Sequence, residues 1–361
     1  MLKILFKLPF YGLLYRYGFP RIFPCSYTVS VTYRCNSKCN TCRVYQRDAS
    51  ELSLSEYRQV FKSLGHSPYW VTFSGGEPSI REDFADIVIA FYDICRPAII
   101  NIPSNGILTD RIAHHITQIC EHCRKSKIIV NLSLDAIGEQ HDKIRNVPDN
   151  YTLALSTYRK LKSLTYKNLF IGIHSVISKF NIKNFTGIVN NLLNLQPDQY
   201  ITEIAERRNE LLNTRFDITP SITNYKSAVD FLIHRIKHTH IKSRLNRITQ
   251  AFRIEYYTLV TKILRDEKQV IPCFSGINSI QIGAEGDVWT CCVKAMSVGN
   301  LRSVGYDFGQ VWRGDLLKQE RASIKNKECH CPLANAAYTN MLQDVRTLFR
   351  VFCRVFFGWW R

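Results

Sequence analysis

Three cysteines crowd into one short run near the start of the chain, Cys35-Asn36-Ser37-Lys38-Cys39-Asn40-Thr41-Cys42. Three residues and then two separate these thiols, and the run directly follows a predicted strand. A cubane cluster of four irons takes four cysteines. A loop offering three therefore leaves one iron open to an outside ligand, much as catalytic zinc keeps an open position. Spacing alone also allows a zinc knuckle whose fourth ligand lies elsewhere. A second run, Gly75-Gly76-Glu77-Pro78, follows the next predicted strand. Its glycines let backbone approach a ligand closely, and Glu77 offers an acceptor for an ammonium group.

The elements that position these residues read as short β-rich runs separated by longer helical stretches, the pattern of βα units around a parallel sheet. Predicted strands cover 27–32, 69–73, 98–102, 128–134, 169–176 and 199–202, with amphipathic helices such as 53–64 and 85–95 between them. Six units are too few for a closed eight-unit barrel, so the expected fold is α/β, a partial (β/α)6 TIM-like barrel with its chemistry at the carboxyl ends of the strands. After residue 220 the pattern changes to basic helices carrying Arg235, Lys237, Lys242, Arg244, Arg247 and Arg253. From Cys273 a small cysteine-bearing β-hairpin unit follows, turning at Ala284-Glu285-Gly286. The expected divisions are a basic apolar segment at 1–24, the barrel at 25–220, a helical connector at 221–270, an auxiliary unit at 271–335 and a basic amphipathic helix at 336–361.

With the barrel pattern around them, Cys35, Cys39 and Cys42 followed by Gly75-Gly76-Glu77-Pro78 resemble the radical S-adenosylmethionine (radical SAM) superfamily. The resemblance runs over about residues 27 to 205. It implies that the three cysteines hold a [4Fe-4S] cluster whose fourth iron chelates the methionine part of S-adenosylmethionine. Reductive cleavage would then yield a 5′-deoxyadenosyl radical that takes hydrogen from a substrate, fed by a one-electron donor such as flavodoxin or ferredoxin. By the same resemblance Gly75, Gly76, Glu77, Pro78, Ser104, Asn105, Ser133, Asp135, Arg145 and Asn181 contact that cofactor. Thr41 departs from the pattern, since many members carry an aromatic residue there.

Cys273, Cys291, Cys292, Cys329 and Cys331 form a second constellation. The spacing from Cys273 through Gly286 to Cys291 resembles the opening of SPASM and twitch domains, as do Gly299-Asn300-Leu301 and Val311-Trp312. The later cysteine series is short, which favours one auxiliary cluster, of the twitch kind. The expected ligands are Cys273, Cys291, Cys329 and Cys331, with Cys292 competing for the place of Cys291; a structural zinc site is the alternative. Cys25, Cys95, Cys120, Cys123 and Cys353 read as small buried hydrophobes.

Several residues are discounted. His174 reads as a satisfied core histidine, Glu203 and Glu206 equally as active-mouth residues or a solvated cluster opening a helix, and His234, His238 and His240 as a surface face.

The chain has 361 residues, 13 cysteines and a net charge of +18. The cysteine crowding fits metal binding in a reducing cytoplasm better than a secreted disulfide scaffold. The start lacks a small-residue cleavage site and is broken by Pro9, which argues against export, and no apolar run spans a bilayer. Much of the excess charge sits at the ends. Lys3, Lys7, Arg16 and Arg21 share the first 24 residues with no acid, and Arg346, Arg350, Arg354 and Arg361 share residues 345–361 with none. Both ends are rich in aliphatic and aromatic side chains. From Leu348, apolar residues recur at helical steps through Val351, Phe352, Val355 and Phe356 to Trp359, beside a stripe of unpaired arginines and Trp360. This favours a basic membrane-surface patch over a phosphate-binding arm, with no nucleic acid as partner, and the alternative for the end helix is docking on the barrel. The expected location is the cytoplasm, peripheral on the inner face of the membrane. Three function classes follow: a radical enzyme acting on a membrane-associated lipid, a peptide or protein maturase, and a non-enzymatic iron-sulfur or zinc protein on nucleic acid. The Gly-Gly-Glu-Pro turn argues against the last, and the lack of a peptide-recognition extension weakly against the second.

Overall fold

The structure is a computed structural model that describes residues 6–239 and 244–358. Lys3, His240, Lys242, Trp359, Trp360 and Arg361 therefore lie outside the described residues.

After helix α1 (Leu8–Tyr17), six strands and the helices between them follow. They are β1 (Ser26–Thr32), α2 (Leu54–Leu64), β2 (Trp70–Gly75), α3 (Phe84–Cys95), β3 (Ile99–Ser104), α4 (Thr109–His122), β4 (Lys127–Ser133), α5 (Glu139–Arg145), α6 (Asn150–Lys162), β5 (Leu169–Ile177), α7 (Phe185–Leu193) and β6 (Gln199–Ile204). All six predicted strands are present, each within two residues of its expected ends. Local chemistry explains their punctuation. Ser53 and Glu56 form a reciprocal capping box that starts α2, satisfying donors that the first helical turn leaves unpaired. The helices bury one face on the sheet, where Phe73 of β2 meets Phe91 of α3 edge to face at 5.4 Å. Each such fully buried aromatic contributes about 1.5 to 3 kcal/mol.

The remaining elements are α8 (Ile222–His238), α9 (Arg244–Asp266), β7 (Ser279–Ile282), β8 (Asp287–Trp289), β9 (Ser297–Asn300), α10 (Phe308–Arg313), α11 (Asp315–Lys325), α12 (Ala334–Met341) and α13 (Val345–Phe357). One nine-stranded sheet has the order β6-β5-β4-β3-β2-β1-β7-β8-β9. Strands β1 to β6 are parallel, β7 adds in parallel to the free side of β1, and β8 and β9 continue antiparallel. The cysteine-bearing hairpin is thus a continuation of the barrel sheet, with Tyr27 facing Ile280 and Val29 facing Ile282 in register. Helix α9 runs beneath β6, burying Tyr256 and Tyr257; the Tyr257 hydroxyl meets that of Thr202 at 2.8 Å.

One expectation about the ends is corrected. Arg350 and Arg354 both pair with the buried carboxylate of Glu255 on α9, at 2.6 and 3.1 Å. They are not an unpaired stripe: α13 uses them, with Val351 and Val355 against Ala251, to dock on α9.

Candidate active site

Between β1 and α2 the chain forms the cysteine loop. Cys35 and Cys42 each accept a backbone N–H two residues on, from Ser37 and Val44, both at 3.4 Å. Burial pushes both thiols up to about 12. Thiols so shielded ionise when a cation takes them. Arg145, at the end of α5, reaches this loop: its Nη1 lies 3.7 Å from the Cys39 sulfur and its Nη2 2.8 Å from Asp135 Oδ2. Its Nε is buried with no hydrogen-bond partner. A buried guanidinium N–H left over beside the cysteine loop fits a bound anionic group such as a cofactor carboxylate. The residues present therefore fit the cluster and the cofactor.

The Gly-Gly-Glu-Pro turn meets this loop from β2, and its glycines serve a purpose the sequence did not disclose. A Cβ on Gly75 would stand 2.0 Å from the Thr32 carbonyl oxygen, and one on Gly76 2.1 Å from that of Arg34. They admit the backbone that leads into Cys35. Gly75 also has a φ of 125°, a region open to glycine. Glu77 is buried and heavily engaged. Its Oε1 accepts from Ser79 N, Ser79 Oγ and Ser104 Oγ, and its Oε2 from Asn105 N at 2.7 Å. Pro78 opens the short turn that follows.

Other expected contacts organise the same rim. Asn105 Nδ2 donates to Asn36 Oδ1 at 2.7 Å and Ser37 Oγ at 3.1 Å, and lies 4.0 Å from the Cys35 sulfur. Asp135 Oδ1 accepts from Val176 N. Asn181 donates to the carbonyls of Asp135 and Val176. Ser133 pairs in register with His174. The carboxyl ends of β1 to β5 thus bring together Cys35, Cys39, Glu77, Ser104, Asn105, Asp135, Arg145 and Asn181.

The second cysteine group lies in the segments next to β7, β8 and α12. Cys273, Cys329 and Cys331 line a cavity of about 30 Å³ together with His330 and Asn340. Burial pushes Cys291 up to about 11, with Cys273 and Cys329 as neighbours; Cys331 likewise has Cys291 and Cys273 beside it. Cys292 shares an apolar cluster with Cys291 and Cys331. Burial raises its thiol well above the ordinary range, and its neighbours are Arg208, Glu210 and Glu206. Among the described residues no three His, Cys, Asp or Glu side chains converge as a single metal ion would require. Cys25, Cys95, Cys120, Cys123 and Cys353 are all buried.

Between the two cysteine groups lies a charged network that sequence reasoning underrated. Glu206 is 7 % exposed, so a solvated cluster is excluded, and no helix begins there. Its Oε1 accepts from Arg208 Nε at 2.9 Å while Oε2 is buried without a partner. Burial raises its carboxyl to about 7. Glu203 pairs with Arg208 at 3.3 Å and lies 3.5 Å from His174 Nε2. Glu210 accepts from Ser30 and Gln281, joining β1 to β7. Tyr33 stacks parallel to Trp289 at 6.5 Å, with the Arg47 guanidinium 4.7 Å above the tyrosine ring, so the hairpin is clamped to the cysteine loop. The aromatic residues and their spacing were visible in sequence; the pairing across more than 250 positions was not.

Comparison with known proteins agrees with this geometry. The family described as the Radical SAM superfamily matches residues 29–192, and the iron-sulfur cluster-binding domain named SPASM matches residues 273–332. The Fe-coproporphyrin III synthase of Methanosarcina barkeri is 25% identical over 324 residues, covering 83% of this chain and 76% of that protein. The mycofactocin maturase MftC of Mycobacterium tuberculosis is 26% identical over 164 residues, 44% of this chain and 39% of that one. In fold, the chain is similar to Streptococcus suis SuiB bound to S-adenosylmethionine, with a TM-score of 0.62 and 15% identity over 86% of this chain and 70% of that one. A radical SAM domain binds a [4Fe-4S] cluster and S-adenosylmethionine, and a SPASM domain binds auxiliary iron-sulfur clusters. The protein is therefore an enzyme of the radical SAM superfamily, with a SPASM domain after its barrel.

Proposed function

We propose that this enzyme uses Cys35, Cys39 and Cys42 to hold the catalytic cluster and takes hydrogen from a substrate in the mouth of the barrel. The observation that carries this reading is Arg145, whose guanidinium bridges Asp135 and the Cys39 sulfur and keeps one N–H unspent. When bound, the cluster and S-adenosylmethionine supply one-electron cleavage of a carbon–sulfur bond and a carbon radical. The chain's own part is to orient and to exclude water. Glu77 and Asn105 hold the β2 and β3 loops against the cysteine loop, and Arg145 offers its free N–H to the cofactor carboxylate. Gly75, Gly76, Pro78 and Ser104 shape the same cradle, and Ser133, Asp135 and Asn181 form its far wall. Exposed Lys38 lies within the loop and suits an acidic one-electron donor such as flavodoxin or ferredoxin; Arg34 beside it is paired with Glu51. Cys273, Cys291, Cys329 and Cys331 are the proposed ligands of one auxiliary cluster.

For the substrate, peptide or protein maturation is supported by the likeness to the mycofactocin maturase. No relative named above is described as acting on a lipid, so a membrane-associated lipid substrate draws its support from the terminal helices alone. The test is anaerobic turnover with deuterium-labelled peptide and lipid substrates. Deuterium recovered in 5′-deoxyadenosine from one class identifies it; cofactor cleavage with no label transferred from any carbon-bound deuterium in either class would overturn both assignments.

A further inference from the structure

Of the large apolar side chains left exposed among the described residues, ten of fifteen belong to the two ends of the chain. Near the start they are Phe6, Phe10, Leu13, Tyr17 and Phe19, and near the end Val345, Phe349, Phe352, Phe356 and Phe357. The spacing is the same in both. Residues 6, 10, 13 and 17 and residues 345, 349, 352 and 356 each step by four, three and four, which is one stripe along a helix.

Both helices are docked by their other faces. Helix α1 buries Tyr11 and Leu14, stacks Tyr15 on Phe274 at 4.6 Å and bonds the Tyr11 hydroxyl to the Phe23 carbonyl at 2.9 Å. Helix α13 is fixed on α9 through Glu255, Val351 and Val355. Each stripe is what docking leaves exposed, except that the Arg244 guanidinium of α9 lies over the Phe356 ring at 4.6 Å. The two helices also adjoin: a Cβ built on Gly12 would lie 3.9 Å from Gln343 Oε1, two residues before α13.

We infer that this pair of aromatic stripes seats the enzyme on an anionic lipid bilayer surface. Charge selects that occupant. Residues 1–24 and 345–361 contain lysines and arginines and no acid. Of the arginines of α13, Arg350 and Arg354 are turned to Glu255 of α9, and Arg346 is exposed. A second copy of the chain would bring two ends rich in lysine and arginine together. An anionic headgroup layer accepts the phenylalanines at its acyl boundary and the arginines at its phosphates. No helix among the described residues is long and apolar enough to cross a membrane, so the contact is interfacial. The inference goes beyond the reaction and stands independently of it.

Deleting α13 would expose Glu255 and Ala251, so surface substitutions are the sound test. The reconstituted full-length enzyme is sedimented anaerobically with phosphatidylglycerol–phosphatidylcholine vesicles and with phosphatidylcholine vesicles. Wild type is expected to partition into the anionic vesicles, and to be released as ionic strength rises from about 0.1 to about 0.5 M, where screening shortens to a few ångströms. Val345→Ser/Phe349→Ser/Phe352→Ser and Phe10→Ser/Leu13→Ser are each expected to lower partitioning at least tenfold, while Tm and reductive cleavage of S-adenosylmethionine stay as in wild type. Wild type that remains in the supernatant with anionic vesicles would overturn the inference, as would triple-variant protein that binds like wild type. A dimer seen by light scattering in wild type and lost in the triple variant, without vesicle binding, would assign the stripes to a second copy instead.

Discussion

The carboxylate of Glu77 accepts the backbone N–H of Asn105 at 2.7 Å, so the loop after β2 holds the loop after β3, and Asn105 in turn reaches Asn36, Ser37 and the edge of Cys35. Three successive strand ends are tied together through one buried acid. Glu77→Ala would leave several buried donors unpaired, which costs about 3 kcal/mol. The expected outcome is a lower urea midpoint together with at least tenfold weaker S-adenosylmethionine binding, while the iron held by the cysteine loop remains. Unchanged cofactor affinity in equilibrium dialysis would contradict the coupling.

The adjacent pair Cys291 and Cys292 differs in its charged surroundings. Cys291 has Cys273 and Cys329 as neighbours, whereas Cys292 lies against Arg208, Glu210 and Glu206. Cys291→Ala is expected to lower iron by about four atoms per chain, and Cys292→Ala to leave it near the wild-type level of about eight. Iron analysis after anaerobic reconstitution reads this directly, and loss from Cys292→Ala alone would reverse the assignment.

How much of this was legible in the sequence depends on distance along the chain. Six strands, the helix start at Ser53 and Glu56, and the cysteine loop are local patterns, since period and capping involve residues a few positions apart. The pairing of β7 with β1 joins Tyr27 to Ile280, and neither four-residue β7 nor its composition announces that partner. Likewise, the arginine stripe of α13 reads as free because Glu255 stands about 95 positions away. Glu206 reads as solvated for the same reason: the elements that bury it are distant in sequence. The functional meaning of Gly75 and Gly76 was half legible. Close approach was expected, but what approaches is the chain's own backbone at Thr32 and Arg34.

His141 gives the fold a sign in its pH dependence. Its Nδ1 accepts the Asp135 N–H at 3.1 Å and its Nε2 meets Asn150 Oδ1 at 2.6 Å, so the neutral ring uses both nitrogens. Burial, with Arg145 adding to it, lowers its pKa from 6.5 to about 4. A histidine depressed on folding contributes stability that is complete above about 6.5 and is lost as pH falls toward 4. Between pH 8 and pH 5.5 the loss amounts to about 1.4 kcal/mol. His141→Gln, which cannot take up the proton, is expected to show a shallower fall in urea midpoint over that range. Parallel profiles for the two proteins would remove His141 as the cause.

The central claim is that Cys35, Cys39 and Cys42 carry the chemistry while Cys273, Cys291, Cys329 and Cys331 hold a separate group. The direct measurement is 5′-deoxyadenosine formed per chain when the anaerobically reconstituted protein is reduced in the presence of S-adenosylmethionine. The wild type is expected to form it, Cys35→Ala/Cys39→Ala/Cys42→Ala to form none, and the quadruple alanine variant of the second group to retain much of the cleavage. Cleavage by the loop variant at the wild-type rate, or none from wild type loaded with its full iron, would contradict the account.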